Sequence, residues 1–124
     1  MNRQLPADAL VTDGDVLDIP GRTIEVVLTP GHTPGHTCWL LSAQGGGGFM
    51  ALGDVVHVSA IQISHPDTAL AYDLDKDQAI QSRKRILDMA ASERFAIAGA
   101  HVNAPGFGYV VRKGATFAFE PAGN

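Results

Sequence analysis

The sequence has one cysteine, Cys38, among 124 residues. A single thiol excludes an intrachain disulfide and any multi-cysteine zinc or iron–sulfur site, and it fits a reducing compartment. Basic residues are also few: nine Lys plus Arg against thirteen Asp plus Glu give a formal charge of −4. The only basic run, Arg83-Lys84-Arg85, is too short to follow a phosphate backbone, so no nucleic-acid partner is expected. No apolar run approaches the roughly 20 residues that span a bilayer, and the first ten residues lack the basic start and apolar centre of a signal peptide. These readings point to a soluble, cytoplasmic protein with no membrane partner. Ser42, Ser59, Ser64, Ser82 and Ser92 all lack a Gly-x-Ser-x-Gly elbow, and the glycines at 45–48 lack the Lys-Ser/Thr of a phosphate loop. Serine hydrolase and P-loop chemistry are thereby excluded.

The chain is 45% hydrophobic and 18% charged, the balance of one globular domain. A chain of this length buries roughly two-thirds of its unfolded surface, provided its apolar faces meet each other. β-Branched residues at 16–19 and 23–28 flank Pro20-Gly21 and predict a hairpin. Strands are expected at 37–42 and 49–52, separated by a glycine turn at 44–48. Residues 57–72 show no period and read as an irregular loop with a short helical turn. The one long helix is expected at 75–91, capped by Asp75 with Gln78 three residues on, and with Ala79, Ile80, Ile86, Leu87, Ala90 and Ala91 on its apolar stripe. In that reading Arg83, Lys84 and Arg85 lie largely on the wet face. A buried strand at 95–98 and a hairpin of 108–111 with 116–119, turning at Lys113-Gly114, complete an α/β or α+β domain with a mixed sheet.

Three polar residues stand at strand ends or in glycine-rich loops: His36, Asp54 and His101. Two imidazoles and a carboxylate presented from a rigid edge are a ligand set for Zn, Mn or Fe. Each alone is more often structural, since loop histidines bind backbone carbonyls and Asp after Gly is a common turn pair. His32 is four residues before His36, but Pro34 and Gly35 forbid a helix between them, so the two rings need not share a face. His57 and His65 read as solvated loop histidines. Cys38, beside Trp39 in an apolar strand, reads as a small buried hydrophobe.

The order Thr29-Pro30-Gly31-His32-Thr33-Pro34-Gly35-His36-Thr37, then Leu52-Gly53-Asp54, then Gly99-Ala100-His101, resembles the second half of the metallo-β-lactamase-fold hydrolases. The helix and the tail from Gly99 to Gly108 are similar to the branch with quorum-quenching lactonases and methyl parathion hydrolase. The resemblance runs from about Leu5 to about Phe119. It implies a part of a four-layer αββα sandwich with two metals, zinc being expected, between the sheet ends. It also implies that His36 serves the first metal, Asp54 bridges both and is the catalytic candidate, His101 serves the second, and His32 shapes the loop. The implied reaction is attack of a metal-bridging hydroxide on a small lactone, ester, amide or phosphoester.

The family's first motif, His-x-His-x-Asp-His, occurs nowhere in the sequence. Residues 1–124 are therefore expected to be a single partial domain, the C-terminal half of a larger enzyme, holding one metal or none and inactive alone. Its sheet would leave an apolar face, with Val26, Leu28, Trp39, Leu41 and Met50 or their alternating neighbours, to be covered in a homodimer or higher oligomer. A non-catalytic binding or assembly module, or a half-fold needing a partner chain, is the alternative function. The walls of a substrate pocket are expected at 57–72 and 102–107.

Overall fold

The computed structural model describes residues 9–43, 48–99, 101–102 and 106–122. Its frame is one seven-stranded sheet in sequence order: β1 (Val16–Ile19), β2 (Arg22–Leu28), β3 (Thr37–Ala43), β4 (Gly48–Ala51), β5 (Ala96–Ala98), β6 (Phe107–Lys113) and β7 (Thr116–Pro121). All neighbours are antiparallel except β4 and β5. That pair is parallel because helix α2 (Lys76–Glu93) carries the chain back along the sheet before β5 begins. A short helix, α1 (Ser59–Gln62), interrupts the loop between β4 and α2. The fold is thus the α+β domain with a mixed sheet and one long helix that the sequence predicts.

The two hairpin turns need glycine in left-handed conformations, Gly21 at φ 80° and Gly114 at φ 62°. Gly48, read from the sequence as part of a glycine turn, instead pairs with Ser42 as the first residue of β4. The rest of that turn, 44–47, lies outside the described residues. Asp75 caps α2 as expected, its Oδ1 accepting the Gln78 N–H at 3.0 Å, and the helix ends at Arg94 in the left-handed conformation, donating to Ala90 O at 3.0 Å.

Alternation along the strands sends Val27, Cys38, Met50, Ile97 and Val110 to the face covered by α2, where they form one cluster with Ile86, Leu87 and Ala90. Arg83 corrects the expected wet face: it is fully buried, 0% exposed. Its spacing from Ala79 and Leu87, four residues each way, puts it on the apolar stripe, and only its charge argued otherwise. It is buried because its guanidinium is bonded: Nε donates to Val55 O at 2.9 Å, and Nη1 to Pro66 O and Thr68 O at 2.8 and 2.9 Å. Lys84 and Arg85 are exposed as expected.

The opposite sheet face is only partly covered. One row across it runs Leu17, Ile24, Leu41, Phe49, Ala96 and Tyr109, paired strand to strand. Leu17, Phe49 and Tyr109 are exposed there, as are Ile19 and Phe107. Of the residues expected to meet water, Val26 and Met50 are buried within the chain, while Leu28, Trp39 and Leu41 are half-buried. Met50 faces α2, and the backbone N–H and C=O of Val26 pair with Asp15 O and the Gly14 N–H at 2.8 Å each. Among the described residues no helix is long and apolar enough to cross a membrane.

Candidate metal centre

The loop between β2 and β3 is fixed against the N-terminal turn of α2. Gly31, at φ 134°, lies so close to Ala79 that an added Cβ would meet its backbone nitrogen at 2.1 Å. Ser82 Oγ donates to Pro30 O at 2.7 Å, and the N–H groups of Asp75 and Leu74 donate to Gly31 O and His32 O at 2.8 and 3.2 Å. His32 and His36 therefore hang from a braced loop rather than a free one.

His36 uses both ring nitrogens. Its Nε2 accepts the backbone N–H of Asp54 at 2.8 Å, which places its proton on Nδ1, 2.7 Å from Thr29 Oγ1. Burial, with the nearby His32, holds its pKa below the ordinary histidine value, consistent with a neutral ring. The approach is possible because residue 53 is glycine: at φ 56°, a Cβ there would sit 2.7 Å from His36 Nε2.

Asp54 lies between two more imidazoles. His32 Nε2 is 3.2 Å from its Oδ2, and His101 Nε2 is 3.2 Å from its Oδ1. The ring of His57 completes the cluster, 4.7 Å from His32 and stacked on His101 at 5.0 Å between centroids. The backbone N–H of His57 donates to Oε1 of Gln62, the last residue of α1, at 2.6 Å, which holds His57 in place. Its pKa is depressed by burial and then by His32. The structure thus brings together all three residues predicted as ligands, His36, Asp54 and His101, and adds His32 and His57.

His57, read as a solvated loop histidine, is half-buried inside the cluster. The signal for it in the sequence was proximity, three residues after Asp54 on the same strand-end turn. His65 does stay outside, exposed and bonded to Ser64 Oγ. Cys38 is the buried hydrophobe expected, its thiol donating to Leu52 O at 3.3 Å and its pKa pushed up to about 11 by burial. Residues 103–105 of the expected pocket wall lie outside the described residues; on the other side the Tyr72 ring is 5.8 Å from His57.

The donors fit a divalent cation. One ligand atom each of His32, Asp54 and His57 lie within 4.8 Å of one another, and His57 Nδ1 is buried with no hydrogen-bond partner among the described residues. An imidazole nitrogen left unpaired in a polar cluster is costly unless something takes its lone pair. Mixed imidazole and carboxylate donors suit Zn, Mn, Fe or Co.

No family model matches the chain. Among solved structures, it is similar to AidC, a dizinc quorum-quenching lactonase in complex with a product, at TM-score 0.80 and 29% identity over 91% of this chain and 37% of that one. It is also similar to the hydrolase AbOPH of the β-lactamase superfamily, at TM-score 0.77 and 32% identity over 86% of this chain and 36% of that one. A curated relative, the atrochrysone carboxyl ACP thioesterase of Aspergillus fumigatus, is 27% identical over 106 residues, which are 86% of this chain and 27% of that protein. The chain therefore spans less than two-fifths of the length of each of these proteins.

Proposed function

We propose that the chain, which shares its fold with metallo-β-lactamase-superfamily hydrolases and with a quorum-quenching lactonase among them, supplies one part of a metal-dependent hydrolase site. The substrate class is a lactone, carboxylic ester or phosphoester. The observation that carries this reading is the Asp54 carboxylate, with an imidazole 3.2 Å from each of its oxygens. Asp54 would hold the ion, zinc being the expected one, together with His32 and His57, and with the expected ligand His101 at its other oxygen. His36, expected from the sequence as a ligand, has Nε2 bonded to the Asp54 N–H and Nδ1 to Thr29 Oγ1, so its part would be to hold the Gly53-Asp54 turn at the site. A divalent metal held there would activate water and polarise the scissile bond. The chain's own part is to hold the carboxylate at a braced strand end and to wall the site with Tyr72 and the 57–72 loop.

Residues 1–124 act in this reading as a single partial domain, with further ligands coming from a second polypeptide segment carrying the family's first motif. Zinc is bound in an Asp54-dependent manner, and lactones, aryl esters and phosphotriesters are not turned over by these residues alone. Zinc-loaded chain assayed against those three classes beside Asp54→Ala tests both halves of the claim. Absence of zinc would contradict the metal reading; turnover lost with a chelator and with Asp54→Ala would contradict incompleteness.

A second reading, an assembly module without catalysis of its own, draws on the exposed Leu17, Ile19, Phe49, Phe107 and Tyr109. Apolar faces of this kind mark interaction sites. A homodimer or higher oligomer covering that face is the expected form, and light scattering showing a stable monomer at micromolar concentration would remove it.

A further inference from the structure

We propose that Asp73, held by Arg83, is a positioning residue of this site that acts through His32 on Asp54. The inference rests on the metal-site reading for what Asp54 does, but not for the geometry of the relay. Asp73 is a carboxylate with a side chain only 1% exposed, and its Oδ1 is 3.2 Å from His32 Nδ1. The other nitrogen of the same ring, Nε2, meets Asp54. On the far side, Arg83 Nη2 stands 3.7 Å from Asp73 Oδ2.

Two features separate positioning from simple neutralisation of a buried arginine. First, Nε and Nη1 of Arg83 bond three backbone carbonyls, while its buried Nη2 stands 3.7 Å from Asp73 Oδ2, too far for a hydrogen bond, so the short polar contact of the carboxylate goes to His32 and not to the arginine. The nearest polar partner of Asp73 is His32, followed by the Leu70 N–H at 3.5 Å. Second, burying an ion pair is a poor route to stability, because well-packed apolar residues do as well or better. A carboxylate at Nδ1 does something apolar residues cannot: it holds the proton on Nδ1 and fixes the plane of the ring, leaving Nε2 in a set place at the site. The backbone reinforces this, since Leu74 N–H donates to His32 O while Arg83 Nε binds Val55 O, one residue past Asp54. Both ends of the His32–Asp54 contact are thus fastened to one buried pair.

Nitrogen-15 long-range correlation spectra of the metal-free 124-residue chain carrying Asp54→Ala, which removes the competing carboxylate 3.2 Å from Nε2, test the relay directly at a pH where its imidazoles are neutral. With Asp73 present, the His32 proton lies on Nδ1 in this background. Asp73→Asn retains it, because the amide oxygen still accepts, but moves the Nδ1 proton resonance upfield as the charge-assisted bond becomes neutral. Asp73→Ala, with folding verified by circular dichroism, shifts the proton to Nε2, the form preferred by a free imidazole. Cobalt(II) titration of chains with Asp54 intact shows affinity reduced by about tenfold or more in Asp73→Ala. A folded Asp73→Ala with an unchanged tautomer overturns the proposal. If that variant does not fold, an unshifted Nδ1 proton in Asp73→Asn overturns it instead. Wild type that takes up no cobalt contradicts the metal-site reading, while the tautomer still decides the relay.

Discussion

The backbone N–H of Asp54 donates to Nε2 of His36 across 2.8 Å, with Gly53 between them in a left-handed conformation that no side chain could share with the imidazole. Two strand ends far apart in sequence are locked by that bond. His36→Ala leaves the Asp54 N–H and Thr29 Oγ1 without these partners and is expected to cost about 2 kcal/mol. Gly53→Ala, strained and in collision with the ring, is expected to cost a similar amount, about 1–3 kcal/mol. Urea midpoints read both; a variant of either kind as stable as the wild type would refute the locking role.

The buried state of these rings gives a pH dependence with a definite sign. His36 and His57 have folded pKa values depressed below 6.5, chiefly by burial. Below 6.5 the unfolded chain takes up protons that the folded chain refuses, so stability falls as pH drops from that value through the depressed folded values and is fully present above it. Metal-free protein should therefore show a lower urea midpoint at about pH 5.5 than at about pH 7.5. A flat profile across this window would show that the rings are not held neutral.

Arg83 and Lys84 are neighbours in sequence with opposite fates. Arg83→Met removes three hydrogen bonds and strands Asp73 without its cation, and is expected to cost about 3 kcal/mol or more. Lys84→Ala breaks only the exposed pair with Asp67 and should change stability by less than about 0.5 kcal/mol. Thermal melts of the two variants side by side give the comparison, and equal losses would contradict the burial assignment.

The same pair shows what the sequence could and could not convey. Strand positions, the capped helix and the three motif residues follow from periodicity, turn chemistry and glycine placement, all local properties. The burial of Arg83 does not, because it depends on carbonyls of residues 55, 66 and 68 that converge only after the loop folds. His57 was hidden for a similar reason: its place beside His32 and His101 is set by Gln62 and by three separate loops meeting at one sheet end. His32, read as a loop-shaping residue, instead presents its ring to Asp54 and Asp73, a tertiary contact with no trace in local spacing.

Cys38 should behave as an inert core residue. Its thiol is fully buried with a pKa of about 11, so the nucleophilic thiolate is scarce at neutral pH. Ellman's reagent at about pH 8 should leave the native protein unmodified and label it fully in urea. Rapid native labelling would mean that β3 opens far more readily than a central strand should.

Zinc content per chain, measured by plasma mass spectrometry on wild type and Asp54→Ala after equilibrium dialysis, tests the central claim most directly. The account predicts that wild type retains one zinc ion per chain and that Asp54→Ala retains none. Metal-free wild type, or zinc held equally by the variant, would contradict a metal centre built on Asp54.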